Sequence, residues 1–281
     1  MLNIAYSNIH SFSKSKFDDN VEFFSSLYHK YDVICFSETM QNSPDYLPGF
    51  ATPFILNAKK TKKRGRKSGG LMIFVKKEIY KYFTKVKESD NSIWIKIENI
   101  KCSGYISQSI YLCFCYVKPY KSKDLSEHIF SQLTTEISYF QSLGEVLISG
   151  DFNARTGDLT DFIPHDSTTE TFSDCPLPLD YSPDPTLPRS NTDNQTNLHG
   201  ELLTTLCKTL NLRILNGRFM GDSLGYCTFY NFNGSSCVDY MLATNRVLHN
   251  VMYFNVLPPT ELSDHSIICT RLKCIFDYPL M

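Results

Sequence analysis

Residues 146–155 read "VLISGDFNAR". The apolar residues of its first half predict a buried strand over 145–150 that runs directly into Asp151 and Asn153. A strand of this kind can hold a charged side chain rigidly at the edge of a sheet. Gly-Asp-x-Asn is also ordinary turn chemistry, so this stretch alone leaves a turn and a functional site equally open.

The same pattern recurs along the chain, because polar side chains stand at or near the ends of several other predicted strands. An Asp inside the apolar run "SCVDYMLA" (236–243) is costly to bury unless it is paired. Independent turns explain so many strand-linked polar residues poorly, and the pattern favours one shared site. The candidate residues are Asn8, Glu38, Tyr116, Asp151, Asn153, Asp239, Asp264 and His265.

These residue types fit one chemistry. Several carboxylates without a Cys/His ligand set suit a hard cation such as Mg²⁺. His265 beside Asp264, with a further buried Asp, suits an imidazole that a carboxylate orients. No glycine-rich P-loop is present, which argues against nucleotide-driven phosphoryl transfer. The pattern therefore indicates metal-assisted hydrolysis of a phosphate ester.

About ten or eleven strands and three or four helices are predicted. The helices fall at about 17–30, 124–141 and 198–210, and strand pairs outnumber helical crossovers. This favours a four-layer α/β/β/α sandwich of two mixed sheets flanked by helices over a regular parallel sheet. We expect one domain over residues 1–275, with a long irregular loop at about 156–196 and a tail at 276–281.

Composition limits the class of protein. The net charge of −1 hides the basic segment "KKTKKRGRK" (59–67), which holds seven of the 28 basic residues. That segment is compatible with a solvated loop, a phosphate-contacting loop or a nuclear-import signal. The ten cysteines form no CxxC pair, and no apolar run or signal-like N-terminus is visible. We expect buried thiols, no membrane association, and an intracellular protein of nucleus or cytoplasm that is not secreted.

The ordered motifs resemble those of the endonuclease/exonuclease/phosphatase superfamily. They are "NIAYSNIHS", "DVICFSET", "SGGLMIFVKK", "FCYVKP", "LISGDFNARTG", "GSSCVDYMLA" and "LSDHSII", and they span residues 3–268. Within the superfamily the chain is most similar to the apurinic-type endonuclease domains of non-LTR (LINE-type) retrotransposons. "GGLMIFVKK", "GDFNARTGD" and "LHGELLTTLCKTLNLRILNGR" carry that likeness. The superfamily fold is a four-layer α/β sandwich, in agreement with the strand pattern.

The resemblance implies roles for the candidate residues. Glu38, with Asp264 and Asn8, would hold Mg²⁺ or Mn²⁺. Asp151 or His265 would be the base, with Asn153 positioning the attacking water and Asp239 orienting His265. Asn8 and Tyr116 would support the phosphate. Two departures are visible: His10 stands where some repair enzymes of the superfamily carry an Asp, and Tyr6 and Ser7 replace the usual Trp before Asn8.

The expected function is Mg²⁺-dependent nicking of duplex DNA for retrotransposon integration, with a reverse transcriptase domain of a longer parent protein as a candidate partner. The alternatives are another phosphoesterase of the superfamily, such as a phosphoinositide phosphatase or a sphingomyelinase, and a catalytically dead DNA-binding remnant. The tip "NFNGSS" (231–236) could insert into a groove or be a plain hairpin turn. The candidate DNA contacts are Lys62, Lys63, Arg64, Arg66, Arg155, Asn231, Phe232 and Asn233.

Overall fold

A computed structural model describes residues 1–41, 46–60, 67–98, 100–102, 109–119, 122–163 and 188–276. Five α-helices lie in these ranges: α1 (Lys14–Asp19), α2 (Val21–Lys30), α3 (Lys123–Gln141), α4 (Leu198–Thr209) and α5 (Asn245–His249). The first eight strands are β1 (Leu2–Asn8), β2 (Val33–Ser37), β3 (Phe54–Leu56), β4 (Leu71–Val75), β5 (Phe83–Glu88), β6 (Ser92–Ile97), β7 (Ile100–Cys102) and β8 (Ile110–Tyr116). The other eight are β9 (Glu145–Asp151), β10 (Leu212–Ile214), β11 (Phe229–Asn231), β12 (Gly234–Ser236), β13 (Asp239–Thr244), β14 (Val251–Val256), β15 (Ile268–Leu272) and β16 (Cys274–Phe276).

Two mixed sheets of six strands each form the centre of the molecule. The first has the order β14-β15-β1-β2-β4-β3, and the second has the order β10-β13-β9-β8-β6-β5. In the first sheet β1 runs parallel to β2, and in the second β8 runs parallel to β9, while the neighbouring pairs are antiparallel. The two sheets are therefore built alike around one central parallel pair.

The buried side chains fall into three layers. Ile4 and Leu112 belong to the cluster between the two sheets. On the outer face of the first sheet, Phe24 of α2 packs in a cluster with Phe36. On the outer face of the second sheet, a third cluster joins its strands to α3 and α4, with the Trp94 ring stacked on Phe140 at 4.2 Å. The predicted α/β/β/α sandwich is confirmed.

Short elements account for most differences from the sequence prediction. The described residues hold sixteen strands, and those not predicted from the sequence are β5 and the three-residue strands β3, β7, β12 and β16, which are too short for a periodic signal. The single helix predicted at 17–30 is two helices, because the backbone of Asn20 leaves the helical region at φ −132°. The strand predicted at 236–243 begins at Asp239, since residues 234–236 pair with β11 instead.

Three further predictions concern the cysteines, membrane association and the long loop. All eight cysteines whose side chains the structure describes are buried free thiols. Among the described residues, no helix is both long enough and apolar enough to cross a membrane. The predicted loop at 156–196 is irregular over its described ends, 156–163 and 188–196, and Thr156 pairs with Thr196 across it.

Candidate active site

Sheet topology brings the predicted site residues to one edge of the sandwich. Asn8 ends β1, and Glu38 directly follows β2, its parallel neighbour. Tyr116 and Asp151 end the parallel strands β8 and β9 and stand opposite each other. β13 is antiparallel to β9, so its first residue, Asp239, also pairs with Asp151. The sequence prediction set Asp239 inside a strand, whereas its place at a strand start is what brings it to this edge.

Asn8 links the two carboxylates of the two sheets. Its Nδ2 donates to Glu38 Oε2 and to Asp151 Oδ2, both at 3.0 Å. These two oxygens therefore lie within twice that distance of each other, which meets the expectation for residues around one metal. Tyr116 donates its hydroxyl hydrogen to Glu38 Oε1 at 2.7 Å, so both oxygens of Glu38 are held.

His265 forms a buried pair with Asp239. Its Nδ1 lies 2.8 Å from Asp239 Oδ2, and its Nε2 lies 3.9 Å from Asp151 Oδ2. Burial disfavours the charged imidazolium, but the carboxylates of Asp239 and Asp151 outweigh burial and raise the pKa of His265 to about 9. The ring is therefore a cation at neutral pH with both nitrogens protonated, and its Nε2–H points toward the site.

Asp151 is the other titrating group of this edge. Burial, together with the charge of Asp239, raises the pKa of Asp151 to about 7, although His265 and the hydrogen bond from Asn8 favour its ionised form. Its Oδ1 also accepts a hydrogen bond from the Asn153 N–H at 2.9 Å. A carboxylate with a pKa near neutrality suits proton transfer at physiological pH.

Backbone strain is concentrated at the same edge. Outside glycine, six described residues have positive φ, and five of them lie in the loops after β1, β2 and β9. They include Glu38 (φ 50°) and Asn153 (φ 49°), two of the candidate site residues. Such conformations cost free energy and persist where the surrounding structure imposes them, commonly at functional sites.

Two supporting residues were not anticipated from the sequence. The Tyr6 hydroxyl accepts a hydrogen bond from the Asp151 N–H at 2.8 Å and lies 2.7 Å from Ser37 Oγ. Thr228 Oγ1 accepts a hydrogen bond from the Asp239 N–H at 3.0 Å. A tyrosine in the buried strand "NIAYSN" was the available signal, because a buried phenol needs a hydrogen-bond partner.

The β11–β12 hairpin carries three of the predicted DNA contacts. Asn231 Oδ1 accepts a hydrogen bond from the Asn233 N–H at 2.8 Å and closes the turn, so the hairpin expected here is confirmed. The Phe232 side chain at the tip is fully exposed, so no described residue covers it. The root of the hairpin touches the site, where the Phe229 ring lies 4.8 Å from the His265 ring and the Tyr230 N–H donates to the Asp264 carbonyl.

The remaining predicted DNA contacts differ in status. Arg155 donates two hydrogen bonds to Asp193, at 2.8 and 2.6 Å, so its guanidinium is held by an ion pair at a partly exposed position, and its role toward DNA stays a prediction. Lys62, Lys63, Arg64 and Arg66 lie outside the described residues. The ends of their segment are paired, Lys59 with Ser68, and Ser68 Oγ accepts a hydrogen bond from Lys118 Nζ at 3.0 Å. Gly69 follows directly and is adjacent to the Tyr116 ring.

The donor set fits a hard cation. Carboxylate oxygens of Asp151 and Asp239 lie within 4.8 Å of each other, and Asp239 Oδ1 is buried without a hydrogen-bond partner among the described residues, whereas the protonated ring of His265 beside them offers no lone pair to a metal. Glu38 adds a further carboxylate beside Asp151. Carboxylate oxygens are the ligands that Mg²⁺ prefers.

The other two predicted metal ligands are placed differently. Asn8 turns its nitrogen toward the carboxylates, and its Oδ1 accepts a hydrogen bond from the His10 N–H at 3.1 Å. The Asp264 carboxylate faces the solvent-exposed His10, with 3.8 Å between Oδ1 and Nδ1. Both remain predictions as metal ligands, and the described contacts of Asn8 fit a role in orienting Glu38 and Asp151.

The sequence profile of the Endonuclease/Exonuclease/phosphatase family matches residues 5–265. The chain belongs to this family. No curated protein sequence shows significant similarity to it. The match includes every residue of the site described above, from Asn8 to His265.

Solved structures share the fold at low sequence identity. The Xenopus laevis APE2 catalytic domain has a TM-score of 0.68 and 16% identity, covering 97% of this chain and 92% of its own. AP endonuclease LMAP from Leishmania major has a TM-score of 0.66 and 12% identity, covering 97% and 87%. The endonuclease domain of TRAS1, a telomere-specific non-LTR retrotransposon, has a TM-score of 0.56 and 13% identity, covering 97% and 99%. At these identities the similarity shows a shared fold and no more.

Proposed function

We propose that this protein is a Mg²⁺-dependent endonuclease that nicks duplex DNA. The observation that carries the proposal is the convergence at one sheet edge of two carboxylates bridged by Asn8 and a histidine held by Asp239. Family membership supports hydrolysis of a phosphate ester, and the AP endonuclease and retrotransposon endonuclease neighbours support DNA as the substrate.

The protein residues divide the chemistry between them. Asp151 takes the proton of the attacking water, while Asn8 and the Asn153 N–H hold the two carboxylate oxygens of Asp151 in place. His265, oriented by Asp239, donates Nε2–H to a phosphate oxygen as charge develops there. The 3.9 Å between His265 Nε2 and Asp151 Oδ2 exceeds a hydrogen bond, so both groups can act on atoms of a third molecule. Mg²⁺ held by Glu38 would neutralise phosphate charge and favour deprotonation of water.

A plasmid assay tests the proposal. Supercoiled plasmid should be converted to the open-circular form with Mg²⁺ and should stay supercoiled with EDTA. Asp151→Asn should lower the nicking rate about 10²-fold or more, because it removes the proton acceptor. Asp158→Asn is the matched control, since it makes the same change at an exposed residue of the same loop. Equal rates for the two variants, or activity unaffected by EDTA, would contradict the proposal.

The nick ends test the proposed role in retrotransposon integration. Attack of water that breaks the bond between phosphorus and the 3′-oxygen leaves a 3′-hydroxyl and a 5′-phosphate. Only a 3′-hydroxyl can prime a reverse transcriptase domain carried by a longer parent protein. The nicked plasmid should therefore support extension by an added polymerase without phosphatase treatment, and extension only after such treatment would contradict the integration role.

A further inference from the structure

Residues 197–200, "NLHG", at the start of α4 hold the backbone of the loop that follows β9. The Asn197 side chain accepts a hydrogen bond from the Arg155 N–H at 2.9 Å and donates one to the Asn153 carbonyl at 3.0 Å. The Asn197 N–H donates to the Arg155 carbonyl at 3.0 Å. Asn197 also caps α4 by accepting from the Gly200 N–H at 2.8 Å. One residue thus caps a helix and binds two residues of the loop.

His199 adds a fourth bond to this loop. It is buried, and its Nδ1 lies 2.9 Å from the Phe152 carbonyl oxygen. A carbonyl oxygen only accepts, so Nδ1 carries the proton. Its Nε2 lies 2.9 Å from Ser126 Oγ on α3, which fixes the ring from the other side. The loop is therefore connected through His199 to the helical layer.

Gly200 allows α4 to approach the loop closely. A Cβ at this position would lie 1.8 Å from the Arg155 carbonyl oxygen. Side chains essentially never come so near a backbone oxygen, so any larger residue would separate the helix from the loop. The glycine is required here by contact with the loop and not by an unusual φ.

The loop held in this way contains the groups that orient Asp151. Its Asn153 N–H binds Asp151 Oδ1, and Asn153 Nδ2 donates to the Val117 carbonyl at 3.0 Å. Asn153 also has the positive φ of 49°, a conformation that must be imposed by its surroundings. The bonds from Asn197 and His199 flank this strained residue on both sides.

We infer that Asn197 and His199 are positioning residues that fix Asp151 and Asn153 for the reaction, an inference that rests on the proposed nuclease function. Small displacements of a reacting group lower the rate strongly, whereas binding of a substrate held mainly elsewhere changes little. Loosening the loop should therefore lower kcat and leave KM for plasmid nearly unchanged.

Asn197→Asp separates the two roles of Asn197. Asp is as good a helix cap and keeps both acceptor bonds, but it removes the donor and sets a carboxylate oxygen against the Asn153 carbonyl. We expect kcat to fall roughly 10-fold or more with KM within about 2-fold. Asn250→Asp is the matched control, because it removes an equivalent bond from Nδ2 to the Arg246 carbonyl at the opposite end of the sheets. Its kcat should equal that of the wild type.

His199 provides a conservative rescue. His199→Leu removes the donor to the Phe152 carbonyl, whereas the amide nitrogen of His199→Asn can occupy the place of Nδ1. The Leu variant should lose kcat, and the Asn variant should recover most of it. Equal kcat for Asn197→Asp and Asn250→Asp, or a loss in KM alone, would overturn the inference.

A readout without turnover separates this inference from the proposed function. Hydrogen–deuterium exchange of a peptide over residues 151–157 should be faster in Asn197→Asp and His199→Leu than in the wild type and in Asn250→Asp. If the wild type fails to nick DNA but the exchange differs as expected, the nuclease proposal fails while the positioning of the loop stands. Unchanged exchange would overturn the positioning role whatever the wild-type activity.

Discussion

His265 has a carboxylate near each ring nitrogen, and the two carboxylates have different surroundings. Both carboxylates are buried, but Asp239 Oδ1 has no hydrogen-bond partner among the described residues, whereas both oxygens of Asp151 accept hydrogen bonds, from Asn8 and from Asn153. In the proposed mechanism, the pair of Asp239 and His265 acts as one unit that presents Nε2–H toward the substrate. Removing either Asp239 or His265 should therefore abolish the same hydrogen-bond donation from Nε2.

A double-mutant cycle tests whether Asp239 and His265 act together. Asp239→Asn and His265→Ala should each lower kcat for nicking about 10²-fold, because the oriented charged donor is lost in both. The double variant should be no slower than the slower single variant, since the second change removes nothing further. Single-turnover rates on saturating plasmid are the measurement, and a double variant that loses the product of both factors would show independent roles.

Asp161 and Arg218 form a buried ion pair away from the site. Both side chains are inaccessible to solvent, and the guanidinium donates to both carboxylate oxygens at 2.6 Å. Burial opposes ionisation of Asp161, but Arg218 and the Ile214 N–H outweigh burial and hold its pKa below the usual value of 3.8. The pair thus stabilises the fold above the ordinary carboxyl pKa, and that stability is lost as pH falls through the lowered value.

Asp161→Asn should lower the free energy of unfolding at pH 7 by about 3–5 kcal/mol, because it leaves a buried guanidinium without its counter-charge. Urea unfolding at pH 7 and at pH 3 measures the effect. The difference between wild type and variant should narrow at pH 3, because this pH lies below the ordinary carboxyl pKa of 3.8 and the contribution of the ionised carboxylate has begun to fall. A difference that stays constant between these pH values would show that ionisation of Asp161 contributes nothing.

Single residues also show how far the sequence could be interpreted. Asp151, Asp239 and His265 could be identified from the sequence because several polar residues in or next to apolar strands indicate one shared site. Arg155 was predicted to contact DNA, and its ion-pair partner Asp193, which lies 38 residues further along the chain, was not predicted. No local pattern reveals such a contact. Tyr6 appeared only as a departure from the family pattern, since its partners belong to strands from both sheets.

Among the elements, the segment at 59–67 has its base beside the site. Lys59 pairs with Ser68, and Lys118 binds Ser68 next to Tyr116. Changing Lys62, Lys63, Arg64 and Arg66 to Gln should weaken plasmid binding and flatten its dependence on salt. Each phosphate that the protein no longer neutralises should reduce the log–log slope by roughly 0.9. Turnover of bound plasmid should stay nearly intact, because none of these residues is among the predicted catalytic groups.

The control for this prediction neutralises four lysines at the opposite end of the sheets, Lys30, Lys81, Lys208 and Lys273. It produces the same change in net charge without touching the predicted DNA face. Binding measured between low and physiological salt should keep the wild-type slope in this variant. Equal slopes in both variants would assign the basic segment to solvent or to nuclear import.

Most long elements were predicted from the sequence, whereas several of the short strands were not. β9 and α3 have clear apolar periods, and the prediction placed them within a residue or two of their observed bounds. Among the strands of three residues, β7, β10 and β16 pair with strands distant in sequence, as β16 does with β7, whereas β11 and β12 pair with each other across a short turn. The split of the predicted helix at Asn20 likewise depends on packing and not on the hydrophobic period.

At the scale of the whole molecule, Tyr6 joins the two sheets beneath the site. From β1 its hydroxyl lies 3.0 Å from the Cys115 carbonyl oxygen on β8 and accepts the Asp151 N–H on β9. Tyr6→Phe leaves these buried groups unsatisfied and should lower the free energy of unfolding by about 1–3 kcal/mol. It should also lower kcat, because the backbone of Asp151 is no longer tied to the first sheet.

Thr270→Val is the control for that prediction. The buried hydroxyl of Thr270 donates to the Tyr253 carbonyl at 2.9 Å, between two strands of the first sheet and away from the site. This variant should lose comparable stability in urea unfolding while its kcat stays near the wild-type value. If both variants lost kcat equally, the effect would be one of general stability and not of the alignment of the two sheets.

The root of the β11–β12 hairpin, where Thr228 binds Asp239 and Phe229 packs on His265, has a kinetic consequence. If DNA contacts the exposed tip as predicted, strain at the tip would be passed through Thr228 and Phe229 to Asp239 and His265, the groups proposed to stabilise the transition state. Target preference should then appear mainly as faster cleavage of favoured steps and only weakly as tighter binding. Replacing Phe232 and Asn233 to change the target preference would therefore also change the cleavage rate. Variants would have to be selected for both properties together.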